Sequence, residues 1–298
     1  MNKNILMTGV TSRKSQAGLS LIELMIAMTL GLILLSGIVQ IFLSSKQSYS
    51  SVMNSSQILD NGRLAVQFIG SGVSKSGFWG EPTLARTYGS DSGLVADQYT
   101  GVFGESQWVF GQNNDTTNAN VIDGTDELFV RFHGDDDTPM TTCNGTDVNQ
   151  NQIAIERYYI RIITGTERVP SLMCESTVLD FDLSSGISTV PNPVVTNATV
   201  LMTGVENLQL QFGLRRLDDD SDNIRFFTAN NVPAADWSLI ESIRFSVLAV
   251  STDEVNQSTR ATGYTMLDIT TPVPVDRRAR RVFQQSLVTR NTKLPDSF

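Results

Sequence analysis

Residues 16–43, QAGLSLIELMIAMTLGLILLSGIVQIFL, hold one carboxylate, Glu23, in an otherwise apolar run that follows directly on a short basic leader ending at Gly18. A charged side chain in a spanning helix costs about 2.5–3.5 kcal/mol on insertion scales, so an acid kept there points to a function. The run from Leu19 to Leu43 is long enough, at about 1.5 Å per residue, to cross a hydrocarbon core of about 30 Å. Residues 1–18 carry Lys3, Arg13 and Lys14 and no acid. The positive-inside rule therefore puts them in the cytoplasm and everything after Leu43 across the membrane. A secretory signal carries its small-residue cleavage site beyond a shorter apolar region. Here the junction at Gly18 comes before it. A cut after Gly18 removes only the leader and leaves the whole helix on a chain that begins at Leu19. The plain alternative is an uncut signal anchor whose Glu23 snorkels to the cytoplasmic interface, which gives the Gly18 junction no purpose.

The 298 residues allow one long helix and a globular portion of about 220 residues, ample for a core. The net charge is −9, and because the leader holds three cations and no acid, the chain beyond Gly18 stands near −12. An acidic surface argues against a generic phosphate-binding face. The two cysteines, Cys143 and Cys174, fall on the far side of the membrane, where a disulfide persists. A free or metal-bound pair would lack companion ligands. Closing a loop of this length contributes about 3–4 kcal/mol in the chain-entropy model.

The helical pattern continues past the membrane stretch, since no proline precedes Pro82 and Asn61-Gly62 is the one strong breaker between Ser44 and Val73. Ile58, Ala65, Phe68, Ile69 and Val73 recur at helical spacing and predict one face packed on a globular body. Gly31 and Gly37 each weaken the membrane half by about 1 kcal/mol relative to Ala. A helix of about 55 residues is about 80 Å long. It should end within SKSGFWGEP at 74–82, where two glycines precede Pro82. Beyond it, Leu208, Leu210 and Phe212 alternate with Gln209 and Gln211. Ile243, Phe245, Val247 and Ala249 alternate with Ser242, Arg244, Ser246 and Leu248. With residues 127–132, 153–163, 169–173, 200–202 and 282–288 these predict a mainly antiparallel sheet. Long polar loops occupy 112–126, 134–152 and 184–198. The class is α+β, divided into a leader at 1–18, a transmembrane or assembly half of the helix at 19–43, a packed half at 44–75 and a β-rich head at 76–298.

The segment Gly18-Leu19-Ser20-Leu21-Ile22-Glu23-Leu24-Met25-Ile26-Ala27 resembles the class III leader of type IV pilins and type II secretion pseudopilins. Basic leader, Gly, hydrophobic first residue, Glu at the fifth mature position and apolar tail all coincide. Leu19 departs mildly from the Phe that begins many major pilins. Three further regions narrow the likeness to the PilW-type minor pilins: Ile58-Leu59-Asp60-Asn61-Gly62-Arg63-Leu64-Ala65 with Ser76-Gly77-Phe78-Trp79-Gly80, the run from Gly204 to Gly213, and Arg281-Val282-Phe283 with Val288 and Arg290-Asn291. Family members often carry Cys where Glu81 stands, so a disulfide at that point does not transfer.

The resemblance implies a type IV pilin fold, with a long N-terminal helix and a C-terminal, mainly antiparallel β-sheet head. It implies cleavage after Gly18 by a prepilin peptidase, N-methylation of Leu19, and Glu23 as the assembly carboxylate that neutralises the amine of its own or a neighbour's Leu19 within the bilayer. The partners implied are other minor pilins, the major pilin, the inner-membrane assembly platform and the prepilin peptidase. The location implied is the bacterial inner membrane, single-pass with a periplasmic head, and afterwards the pilus fibre at its tip. The role implied is assembly or priming of type IV pili in a tip-located minor-pilin complex, for a pilus that serves twitching motility, attachment or DNA uptake. A J-type pseudopilin of type II secretion shares this architecture, and a tip adhesin or DNA-uptake receptor is the rival of another class.

No Walker loop, dinucleotide fingerprint or nucleophile elbow occurs in the sequence. His133 is the only histidine, which excludes most Ser-His-Asp, Cys-His and multi-His zinc arrangements. It reads as a surface residue at a strand end. Asp135–Asp137 and Asp218–Asp220 with Asp222 lack the spaced calcium-loop pattern and read as solvated hairpin tips. We therefore expect no catalytic residue, metal or cofactor. Arg277, Arg278, Arg280, Arg281 and Arg290 form the one basic cluster. They read as exposed strand-face arginines paired with nearby acids rather than as a nucleic-acid surface.

Overall fold

A single α-helix, α1, runs unbroken from Leu21 to Lys75, through Gln40 and through Asn61-Gly62. The computed structural model describes residues 18–78, 103–104, 107–113, 121–150, 152–163, 169–180, 194–195, 198–215, 223–255, 259 and 263–291. Residues 1–17 of the leader, Trp79 to Glu81 and Asp218–Asp222 lie outside them. The chain divides into two units at Ser50 and Ser51. In the first, every described residue before Ser50 is exposed, and α1 is the one helix among the described residues long and apolar enough to cross a membrane. In the second, burial along the helix begins at Asn54 and recurs at Ile58, Gly62, Ala65, Ile69 and Val73, the three-and-four spacing of one face.

Close approach explains the glycines on that face. A Cβ on Gly62 would lie 2.1 Å from the Phe283 ring, and one on Gly72 would lie 2.6 Å from the Tyr158 hydroxyl. The expected breaker is thus a packing notch. Its neighbour Asn61 donates from Nδ2 to the Thr203 carbonyl at 3.0 Å. The helix stops where Gly77 takes a left-handed φ of 70°, the conformation that favours glycine just past a helix C-terminus. Asn291 donates its amide to the Ser74 carbonyl at 3.1 Å, which satisfies one of the carbonyls that every helix end leaves open.

Two antiparallel sheets make the body of the head. The short strands β1 (Val109–Gln112), β7 (Val194–Val195) and β8 (Thr199–Thr203) flank the longer β2 (Glu127–His133), β5 (Gln152–Ile163) and β6 (Val169–Asp180). The first sheet follows the order β1-β2-β5-β6, with β7 and β8 both paired to β6. The second follows β10-β9-β11-β14, where β9 is Val205–Arg215, β10 Ile224–Phe227, β11 Ile240–Glu254 and β14 Arg278–Val288. Two small hairpins, β3–β4 (Met140–Thr141 and Asp147–Val148) and β12–β13 (Tyr264–Met266 and Ile269–Thr271), complete it. One core cluster joins Ala65, Ile69 and Val73 of the helix to Leu128, Tyr158 and Leu172 of the first sheet and to Leu210, Phe212, Phe245 and Val247 of the second. Every residue of β2 is buried: Leu128 and Val130 lie in the main core with Phe132 beside them in a neighbouring cluster, and on the opposite face Phe129 packs with Phe103, Ile155 and Leu179. Each predicted strand is present, most of them longer than expected. The pairs β3–β4 and β7 arise inside stretches read as loops.

Candidate functional site

At the start of α1, the Glu23 N–H donates to Ser20 Oγ at 3.2 Å, and Glu23 Oε2 accepts the Ser20 N–H at 3.4 Å. This is a reciprocal capping box, with Ser20 as the N-cap and Glu23 at the third helical position. It satisfies two of the donors that a helix start leaves open and sets a negative charge at the positive end of the helix dipole. Gly18, Leu19, Ser20 and Glu23 are all exposed. The Ser-x-x-Glu spacing at 20–23 is the sequence signal for this cap.

Within the head, the buried carboxylate of Glu156 on β5 ties three elements together. Oε1 accepts from Lys75 Nζ at 2.6 Å and from the Cys143 N–H at 2.7 Å, and Oε2 accepts from the Tyr158 hydroxyl at 2.6 Å. Lys75 also donates to the Thr141 carbonyl at 3.0 Å and lies over the Phe132 ring. The last turn of the helix is thereby fixed to the disulfide hairpin and to the core. Burial, and then the neighbouring Glu156 charge, push the Tyr158 hydroxyl well above its usual range, so it stays a donor. Cys143 and Cys174 are bridged, 31 residues apart, with their Cα atoms 6.4 Å apart. The pairing sets the β3–β4 hairpin against β6.

Two expectations about ionisable groups need correction. His133 does end a strand, but it is buried rather than on the surface, since Phe78 accepts its backbone N–H at 2.8 Å and β2 is covered on both faces. Burial, and then the charge of Arg131, depress its pKa to about 3, so the imidazole is neutral. Arg280 is paired with acids as expected, yet its side chain is 2% exposed. It donates from Nε to Glu206 at 2.5 Å, from Nη2 to Glu206 at 3.1 Å, and from Nη1 and Nη2 to Asp276 at 2.7 Å. Burial opposes its charge, but the hydrogen bonds to Asp276 and Glu206 raise its pKa overall. Arg277 pairs at the surface with Glu254. Among the acidic residues, Asp135 accepts the N–H of Asp137, and Asp136 accepts that of Gln150. No group of three potential metal ligands occurs among the described residues.

Two family models match the chain. The prokaryotic N-terminal methylation motif covers residues 13–39, a span that includes the Gly18–Leu19 junction, the capping box and most of the apolar run. The Type IV Pilus-assembly protein W model, PilW, covers residues 157–291, from Arg157 on β5 to the Asn291 that caps the helix end. Over residues 157–291 the chain is thus similar to the PilW-type pilins, and at its start to the methylated pilin-like proteins. Pilins are in general structural proteins rather than enzymes. The methylation motif and the apolar helix fit anchoring in the inner membrane and incorporation into a pilus. Among solved structures it is similar to the type IV-like pilin TTHA1219 from Thermus thermophilus, at 11% identity and a TM-score of 0.43, covering 79% of this chain and 97% of that one. That likeness is too distant to carry weight. No curated protein matches the chain.

Proposed function

We propose that this chain is a PilW-type minor pilin that primes type IV pilus assembly, in a small complex of minor pilins at the pilus tip. One observation supports the reading: within the span that matches the methylation motif, Glu23 stands four residues from Leu19, at the start of an apolar run whose residues through Leu43 are all exposed. Cleavage after Gly18 and N-methylation of Leu19 would create a cationic amine next to Ser20, whose N–H Glu23 already accepts. In a medium of low dielectric constant that amine, from the same or an adjacent subunit, is the counter-charge the carboxylate needs. Pairing across subunits would set axial register, while the exposed apolar side chains pack against the helices of the major pilin and the other minor pilins. The assembly platform and the prepilin peptidase complete the partners.

The test is pilus number in a clean deletion strain, with retraction intact and with retraction disabled. A priming subunit lowers it strongly, and complementation restores it. Wild-type piliation in both backgrounds would overturn the proposal. Gly18→Ala should leave an uncut precursor detectable by mass, and Glu23→Gln should be processed yet assemble poorly.

A further inference from the structure

Among the described residues, hollows of two different characters open on the head. The larger, about 610 Å³, is lined in part by Glu206, Asn207, Gln209 and Asp276. Its polar groups are engaged internally: Arg280 holds Glu206 and Asp276, and both amides donate to the Gly124 carbonyl. The smaller, about 390 Å³, lies on the face of the second sheet opposite the core and includes Gln211, Arg244, Leu267, Asp268, Gln284 and Ser286. Here no described acid neutralises the central cation. Arg244 donates from Nε to Ser286 Oγ at 3.3 Å and stacks 3.9 Å from the Phe226 ring centroid, and among the described residues no carboxylate forms an ion pair with it.

The floor of this hollow is rigid. Arg244 on β11 stands directly across from Gln211 on β9 and Ser286 on β14. Its wall is the two-residue turn Leu267-Asp268 between β12 and β13. Leu267 sits at a φ of 56°, the one positive value among described non-glycine residues, in a turn type that ordinarily favours Asn or Gly. Fully buried Met266 holds the hairpin down, so Asp268 stands at the mouth without reaching Arg244. Among the described residues that line it, the groups are one guanidinium, uncharged amides and a hydroxyl, and one acid, Asp268. That set suits a single carboxylate and repels a polyanion.

A second observation indicates where such a carboxylate comes from. β14 is the edge of its sheet, paired only with β11 among the described residues. Its residues 282–288, Val-Phe-Gln-Gln-Ser-Leu-Val, carry no charge. Natural sheets guard open edges with charge, proline or a cover. Strands added to a sheet lie about 4.8 Å apart, so a segment alongside β14 would stand about 9.6 Å from β11, within the joint reach of a glutamate and Arg244 across Ser286. We propose that this surface docks an extended segment of a second polypeptide, which pairs with β14 and places an acidic side chain on Arg244. The proposal does not depend on the priming role.

The test uses the full chain in detergent and a labelled, blocked six-residue β-forming peptide with a central glutamate, read by fluorescence anisotropy. The glutamate peptide should bind at least about tenfold more tightly than its glutamine twin, the scale of one charge-assisted pair. Arg244→Gln should abolish that preference, Arg244→Lys should weaken it, and Arg281→Gln, at an exposed position on β14, should preserve it. Matching thermal melts establish that each variant is folded. N-methylation of alternate peptide amides should weaken binding. Equal binding of the twins, or a preference that survives Arg244→Gln, would overturn the carboxylate site. Indifference to N-methylation, or displacement by galacturonate at the same concentration as the peptide, would overturn the docked strand.

Discussion

Replacing Gly72 by Ala should destabilise the head, although the same change on an open helix stabilises. Ala gains about 1 kcal/mol over Gly from helix propensity. At position 72 the new methyl would stand 2.6 Å from the Tyr158 hydroxyl and 2.7 Å from its ring. Tyr158 is 1% exposed and its hydroxyl is bonded to buried Glu156, so the ring has no free space to move into. Overpacking costs about 1–3 kcal/mol, and a broken hydrogen bond to a charged group about 1.5–3 kcal/mol. The clash therefore wins, with a net loss of about 2–4 kcal/mol. Gly70 is the internal control. There the nearest atom would be Leu287 Cδ1 at 3.3 Å, so Gly70→Ala should be close to neutral. Urea unfolding of the full-length protein in detergent, followed by near-ultraviolet circular dichroism, measures both variants. In a Tyr158→Phe background the Gly72→Ala penalty should shrink, since the contested bond is already gone. A Gly72→Ala variant as stable as the native chain, or a penalty unchanged by Tyr158→Phe, would refute the packing argument.

Other outcomes follow from the buried charges and the bridge. His133 has a folded pKa of about 3 against about 6.5 when unfolded, so its contribution is complete above pH 6.5 and is lost as the pH falls toward 3. From pH 7 to pH 5 the native chain should lose about 2 kcal/mol more than His133→Gln, by urea titration at both values. Arg280→Met would strand Glu206 and Asp276 and should cost about 3–5 kcal/mol, as a lower urea midpoint records, whereas Arg277→Met at the surface should cost under about 1 kcal/mol. Replacing both Cys143 and Cys174 by Ser should lower stability by about 3–4 kcal/mol. Adding reductant to the native chain should reproduce that loss and do nothing further to the variant.

The long helix and the main strands were legible because their signals are local: helical spacing from Ile58 to Val73, and period-two alternation around Leu208–Phe212 and Ile243–Val247. Burial of polar groups was not, because it is decided by partners far along the chain. His133, next to Gly134 and three aspartates, looks like a surface residue until Phe78 and the clusters on both faces of β2 enclose it. Arg280 sits in a row of arginines that the sequence cannot rank. Only the register with β11 and the nearness of Glu206 single it out. Glu156 alternates unremarkably along β5, and its role depends on Lys75, 81 residues earlier. Gly62, a breaker by propensity, is explained by Phe283, more than two hundred residues away.

The helix end is closed by the last described residue. Asn291 holds the Ser74 carbonyl, Phe283 fills the notch at Gly62, and Leu287 lies over Gly70. A ribosome releases residue 62 long before residue 283, so the docking face of the helix waits, incomplete, while more than two hundred further residues are made. Any export that delivers the chain amino end first must keep this amphipathic surface unpaired until the C-terminal strand arrives. A stop codon before residue 283 would therefore leave this helix face without Phe283, Leu287 and Asn291.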